Sequence, residues 1–126
     1  MQYICPGYTV PSRKTLTTRI EKLFKEQYQS AKDEVIKQPK GNIHITHDAW
    51  TSDANVSYYV VTAHWLDENF YLQERVLSVR PVSGHSANDI QADLSATVAE
   101  FLISNPVATV DNCSAEINGV TQVTKS

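Results

Sequence analysis

The ten residues Ser57 to Leu66, "SYYVVTAHWL", constrain this chain more than any other segment. β-Branched and aromatic side chains lose rotamer freedom in a helix but suit the pleated surface of a sheet. A strand of this strength needs neighbours, and its flanks supply them. Ile43 to Asp48 reads as a first strand. "DEN" at 67–69 reads as a hairpin turn into a third strand, Phe70 to Val82, which carries Leu72, Val76 and Val79. Connections this short imply an antiparallel meander.

Helical periodicity brackets that meander. Residues 1–11 hold Pro6, Gly7 and Pro11 without periodicity and read as an extended lead-in. Leu16, Ile20, Leu23, Phe24, Tyr28, Ala31 and Val35 then recur at three- and four-residue steps. The spacing predicts an amphipathic helix over 12–38, capped by Ser12 or Thr15 and ended by Pro39 and Gly41. After the meander, Ser86 and Asp89 have the spacing of a capping box. Ile90, Leu94, Val98 and Phe101 form the stripe of a second helix, stopped by "NP" at 105–106. Val107 to Val110 is a short apolar strand running into Asp111. A strand reached through a helix crossover usually pairs in parallel, which sets the fourth strand beside the first. The expected class is α/β.

Composition narrows the function classes. At 126 residues the chain has the length of one domain, and 41% apolar with 20% charged residues is ordinary for a soluble globular sequence. No run approaches the roughly 20 apolar residues of a membrane span, and the first residues lack a signal-peptide pattern. Cys5 and Cys113 make neither a disulfide framework nor a zinc pattern, so a reducing compartment is expected. A net charge of −3 argues against non-specific nucleic-acid binding by the chain as a whole. Positive charge nevertheless gathers early, at Arg13, Lys14, Arg19, Lys22, Lys25 and Lys32. That cluster reads first as a solvated helix face, with Arg13, Lys14 and Arg19 as candidate phosphate contacts.

The topology gives two carboxylates a common address. With strands one and four adjacent, Asp48 and Asp111 fall at neighbouring strand ends despite their separation in sequence. Paired carboxylates repel, and a divalent cation is the usual device that keeps both ionised and close. Mg²⁺ or Mn²⁺ suits such hard oxygen ligands. A pair of such ions can activate a nucleophile and stabilise the leaving oxygen in phosphodiester chemistry. The structural alternatives are a turn Asp at 48 and a helix N-cap at 111.

Four blocks in order, "GYTVPSRKTLTTRIEKLF", "ITHDAWTSDANVSYYVVTAHWLDENFYLQERVL", "GHSANDI" and "ATVDNCSAE", resemble the catalytic region of hAT-superfamily transposases. The relatives that these blocks most resemble are domesticated zinc-finger BED-domain proteins. The resemblance covers about residues 7 to 115 and implies an RNase H-like fold, present here as a partial domain over 42–115 with an irregular tail at 116–126. It also implies catalysis by an Asp-Asp-Glu triad on two metal ions, with Asp48 and Asp111 matching the two Asp positions. DNA as partner and the nucleus as location follow from the same resemblance. There are departures. The block read as D-N-x-x-N in the family is "DNCSA" here, with Ala115 at the second Asn, and the third carboxylate has no match. Glu116 is too near Asp111 to replace it.

These departures lead to an expectation of a fragment without transposase activity of its own. The alternative is a non-catalytic interaction module that binds a protein partner, or itself, through sheet surface left uncovered. A free-standing metal nuclease would have to recruit Asp67, Glu68 or Asp93, none of which the topology brings to the site. A zinc site from His44, His47, Asp48 and Cys113 is disfavoured, because residues three apart on a strand face opposite ways. His64 is expected to be satisfied by strand neighbours, with a site role as the alternative. Trp50 is expected in the core below Asp48, with base stacking as the alternative. His85 is expected to order the entry to the second helix.

Overall fold

A computed structural model of the chain describes residues 7–39, 41–82, 84 and 86–110. The elements are α1 (Arg13–Ile36), β1 (His44–Thr51), β2 (Ser57–Leu66), β3 (Leu72–Val82), α2 (Ala87–Glu100) and β4 (Val107–Val110). They follow the order that the periodicity predicts. The chain divides into two compact units, Met1–Ser30 and Ala31–Ser126, so α1 begins in the first and ends in the second.

In the first unit, Ser12 caps α1. Its hydroxyl accepts the Thr15 amide at 3.2 Å, and its carbonyl accepts the Leu16 amide at 3.0 Å. The second unit is a four-stranded mixed sheet in the order β3-β2-β1-β4. β1 and β2 pair antiparallel from His44–His64 to Thr51–Ser57, and β1 and β4 pair parallel from His44–Val107 to His47–Val110. The fold is therefore the α/β meander with a parallel fourth strand.

Alternation sorts the sheet residues onto two faces. Ile45, Tyr59, Val61, Ala63 and Trp65 lie on the closed face and are buried. The buried residues also include Leu77, Ile90 and Leu94, with Phe101, Ile103, Ala31 and Val35. Each large side chain of this set contributes roughly 1.5–3 kcal/mol by leaving water. Tyr59 anchors a loop as well as the core, because its hydroxyl donates to the Gly84 carbonyl at 2.7 Å.

Two strand boundaries differ from the sequence expectation. β1 runs on to Thr51 because Trp50 and Thr51 stay paired with Tyr58 and Ser57. The turn sits at Ser52–Val56, closed by the Ser52 amide on the Val56 carbonyl at 2.8 Å. β3 starts at Leu72 rather than Phe70. Asp67 accepts the amides of Asn69 and Tyr71, and Phe70 takes a left-handed φ of 62° to close that turn.

β3 also carries a bulge. Val61 pairs with Ser78 and Thr62 with Val76, leaving Leu77 without a rung of its own. The extra residue lets Leu77 and Ser78 both turn inward, so that Val76 and Val79, three residues apart, share the opposite face, where both are exposed.

Candidate functional site

Asp48 stands on β1 opposite Val60 of β2 and one residue past the last described β1–β4 pair, His47–Val110. Its own strand continues for three residues, so it marks the point where the described parallel ladder stops and the hairpin goes on. The side chain is exposed, and one carboxylate oxygen accepts the Ala49 amide at 2.8 Å. Asp111 follows Val110 in sequence and lies outside the described residues, as do His85, Cys113, Ser114 and Glu116.

The face that carries Asp48 is built from alternate residues of β1. His44 bonds Thr109 of β4 at 2.6 Å, and Thr46 bonds His64 of β2 at 3.2 Å. His64 also lies 3.9 Å from Glu74 of β3. These polar contacts run across all four strands and fix the two imidazole rings on the Asp48 face, at the His44–His64 rung four residues before the carboxylate. The period-two series His44, Thr46, Asp48 was the sequence signal for this row. His64 is held by its strand neighbours, as expected.

His47 points the other way. It is buried on the closed face, with its ring 4.9 Å from that of Tyr59 and 3.9 Å from the Asp93 carboxylate of α2. Burial lowers its pKa from the usual imidazole value, against the opposing pull of Asp93 and Asp48. Burial raises the Asp93 pKa, against the opposing pull of Arg80, 3.6 Å away, and of His47. Since His44 and His47 lie on opposite faces, β1 does not offer both to one metal ion. Among the described residues, no three His, Cys, Asp or Glu side chains are grouped to hold a metal.

Trp50 corrects an expectation. It is 46% exposed and stacked on Tyr58, with ring centroids 5.3 Å apart. It shares the open face with Asp48, because β1 continues its alternation past the carboxylate instead of turning there. The remote carboxylates are accounted for elsewhere. Asp67 belongs to the β2–β3 turn, where the Tyr71 amide, joined by Asn69 and Gln73, lowers its pKa. Glu68 sits in the same turn, and Asp93 faces the core.

Arg13, Lys14 and Arg19 share α1 but no face of it. At about 100° per residue, Lys14 and Arg19 lie about 100° and 240° around the axis from Arg13. Acidic Glu21 and Glu26 interleave with the basic residues of the same helix.

A mixed sheet with a central carboxylate strand, a parallel fourth strand and a crossover helix defines an RNase-like α/β domain. The chain belongs to the family described as the ZBED1 RNase-like domain, whose model matches residues 46–126. It is the N-terminal part of an RNase H-like region derived from hAT transposases and related to BED-domain proteins.

The chain is 29% identical over 113 residues to a Zea mays protein described as "Putative AC transposase", covering 87% of this chain and 14% of that protein. It is 27% identical over 110 residues to the Talaromyces stipitatus "Putative transcriptional regulator tpeD", covering 86% of this chain and 13% of that protein. Mouse "Zinc finger BED domain-containing protein 6" is 30% identical over 70 residues, or 52% of this chain and 7% of that protein. The chain thus spans at most about a seventh of the length of these relatives.

Proposed function

We propose that this chain is the front portion of a two-metal phosphodiester-transfer domain of hAT descent, and that residues 1–126 do not catalyse transposition by themselves. The observation that carries the reading is the β1–β4 neighbourhood. Asp48 follows the His47–Val110 pair on one strand, and Asp111 follows Val110 in sequence. Asp48 fits a hard divalent ion, being an exposed carboxylate with water at hand to complete an octahedron. Asp48 and Asp111 would hold Mg²⁺ or Mn²⁺, which supplies Lewis acidity for phosphodiester chemistry when bound. The Glu that completes the triad in the family has no match among these residues, which supports the inactive reading. DNA association and a nuclear location belong to the same proposal. They are supported by the transposase and transcriptional-regulator relatives rather than by a basic face on α1.

Titration of Mn²⁺ into the protein and into Asp48→Asn tests the reading, beside an assay of DNA cleavage. Weak binding that drops about tenfold or more in the variant, with no cleavage by either protein, is expected. Equal affinity would remove Asp48 as a ligand. Cleavage that depends on Asp48 would sink the inactive reading.

A second reading, a non-catalytic module that binds a protein through the sheet, is favoured by one observation. Val76, Val79, Leu66 and Leu72 are all exposed on the Asp48 face. An apolar patch on a sheet face is an interaction surface in the making. Val76→Thr with Val79→Thr should then abolish capture of a partner while leaving Mn²⁺ affinity unchanged.

A further inference from the structure

The apolar stripe of α1 has a feature that neither reading uses. Within the unit Met1–Ser30, α1 is the only helix or strand among the described residues, and one helix cannot bury its own stripe. Leu16, Ile20, Leu23 and Phe24 are accordingly 44%, 65%, 57% and 65% exposed. Tyr28 lies against Phe24, with ring centroids 5.8 Å apart, which extends the stripe by a turn. Four large apolar side chains in a row this open are unusual for a solvated helix, whose stripe normally meets a second element.

Leu16, Ile20 and Leu23 step by four and three residues along the stripe, and the polar Gln27 continues the spacing by four more. This is the alternation by which one helix seats against another. The charges beside it select the partner and its direction. Arg19 and Glu26 lie seven residues apart on the same edge of the stripe, the position from which coiled-coil residues reach across to the facing helix. When two copies of α1 run antiparallel, that edge meets itself. Ile20 then faces Leu23 of the second copy, and Leu16 faces Gln27 of the second copy. In that register Arg19 meets Glu26 of the second copy, and the pairing repeats by symmetry. A parallel arrangement sets Arg19 against Phe24 of the second copy and stacks Arg13 on its own equivalent, a like-charge contact. The ion pair that Glu26 makes with Lys22 within its helix, at 3.8 Å, is highly exposed and holds the carboxylate only loosely.

We propose that α1 is a self-association helix, pairing antiparallel with α1 of a second copy of this chain through Leu16, Ile20, Leu23 and Phe24, with the Arg19–Glu26 edge setting direction. The contact is short. The 18 residues from Arg13 to Ser30 span about 27 Å at 1.5 Å each. It therefore buries less than the roughly 800 Å² per partner of a standard interface. The dimer is weak, with dissociation in the micromolar range or above.

Sedimentation equilibrium on the full chain, up to about 0.5 mM, tests the proposal. The wild-type protein is expected to dimerise reversibly. Arg19→Glu and Glu26→Arg each place two like-charge pairs in the interface and should weaken it about tenfold. Combining the two substitutions restores opposite charges and should recover the wild-type constant. Ile20→Ser should abolish the dimer, with far-ultraviolet circular dichroism confirming that the sheet unit is intact. A monomer at every concentration overturns the proposal. So does a dimer indifferent to both charge exchanges, and so does one that survives Ile20→Ser but is lost on Val76→Thr with Val79→Thr.

Discussion

His47 and Asp48 are adjacent in sequence and opposite in environment, and the alternation of β1 alone separates them. The imidazole is buried beside Tyr59 and Asp93, whereas the carboxylate is exposed. Burial disfavours the charged imidazolium, so the folded pKa of His47 lies below the usual 6.5. Above about pH 6.5 the ring is neutral in both folded and unfolded chains, and its contribution to stability is fully present. As pH falls through that value the unfolded chain takes up a proton first, and stability declines until the folded pKa is passed. Each tenfold difference in proton affinity is worth about 1.4 kcal/mol. Asp93 has its folded pKa above 3.8, so its effect has the opposite sign: stability is lost as pH rises through the window that begins there. Urea melts between pH 7 and 5 should show a falling midpoint in the wild type, and His47→Gln should flatten that fall. A slope unchanged in the variant would assign it to other groups. Asp48→Asn, by contrast, should shift stability by no more than about 0.5 kcal/mol, because its side chain is exposed and accepts the neighbouring Ala49 amide. The small effect is what makes the variant usable as a probe of metal binding.

At the scale of elements, α2 shows local sequence rules and tertiary packing agreeing. Ser86 and Asp89 form a complete capping box, with the Ser86 hydroxyl accepting the Asp89 amide and the Asp89 carboxylate accepting the Ser86 amide at 3.0 Å. Ser86→Ala should cost about 1 kcal/mol, read as a lower urea midpoint at unchanged m-value. Gly84, two residues before the box, is constrained too. A Cβ on Gly84 would lie 2.5 Å from an Asp89 carboxylate oxygen, so Gly84→Ala should push that carboxylate aside and cost a similar amount. The capping box, both helical stripes and the order of strands were all readable from spacing. So was the parallel fourth strand, because crossover chemistry leaves few alternatives. What spacing does not reveal is a bulge. Leu72, Val76 and Val79 look like the apolar residues of β3, yet all three face outward: the extra residue at Leu77 brings Val79 onto the face of Leu72 and Val76, and Leu77 is buried instead. The same blindness affected Trp50. "HDAWTSD" has the composition of a turn, but the register places the turn at Ser52–Val56 and keeps Trp50 on the strand with Asp48. The address of Asp48 was legible from strand order. The row of His44, Thr46 and His64 on the same face depends on cross-strand register, which one strand's sequence does not encode.

At the scale of the whole molecule, the division after Ser30 predicts two levels of protection from solvent. A helix of this length without a packed face is marginal in water, since its stability in proteins comes chiefly from tertiary burial. The sheet unit has such burial at its centre, where Ile45, Val61 and Ala63 are fully enclosed. Opening free energies across a protein range from near zero in unpacked segments to the global value in its core. Hydrogen–deuterium exchange should therefore be slow in peptides over 57–66, the central strand β2, and much faster over 16–27. Dilution gives this measurement a second use. If α1 pairs with another copy, the amides of 16–27 gain protection as protein concentration rises through the dissociation constant, while those of β2 stay constant because β2 is paired on both sides, with β1 and β3, within each chain. Mass action sets the form of the response, with protection growing as RT ln(1 + [L]/Kd). The Arg19→Glu variant should need about tenfold more protein to reach the same protection, and adding Glu26→Arg should return the curve to its wild-type position. Protection over 16–27 that is already as high as that of β2 in dilute protein, and flat with concentration, would mean that α1 is buried within a single chain.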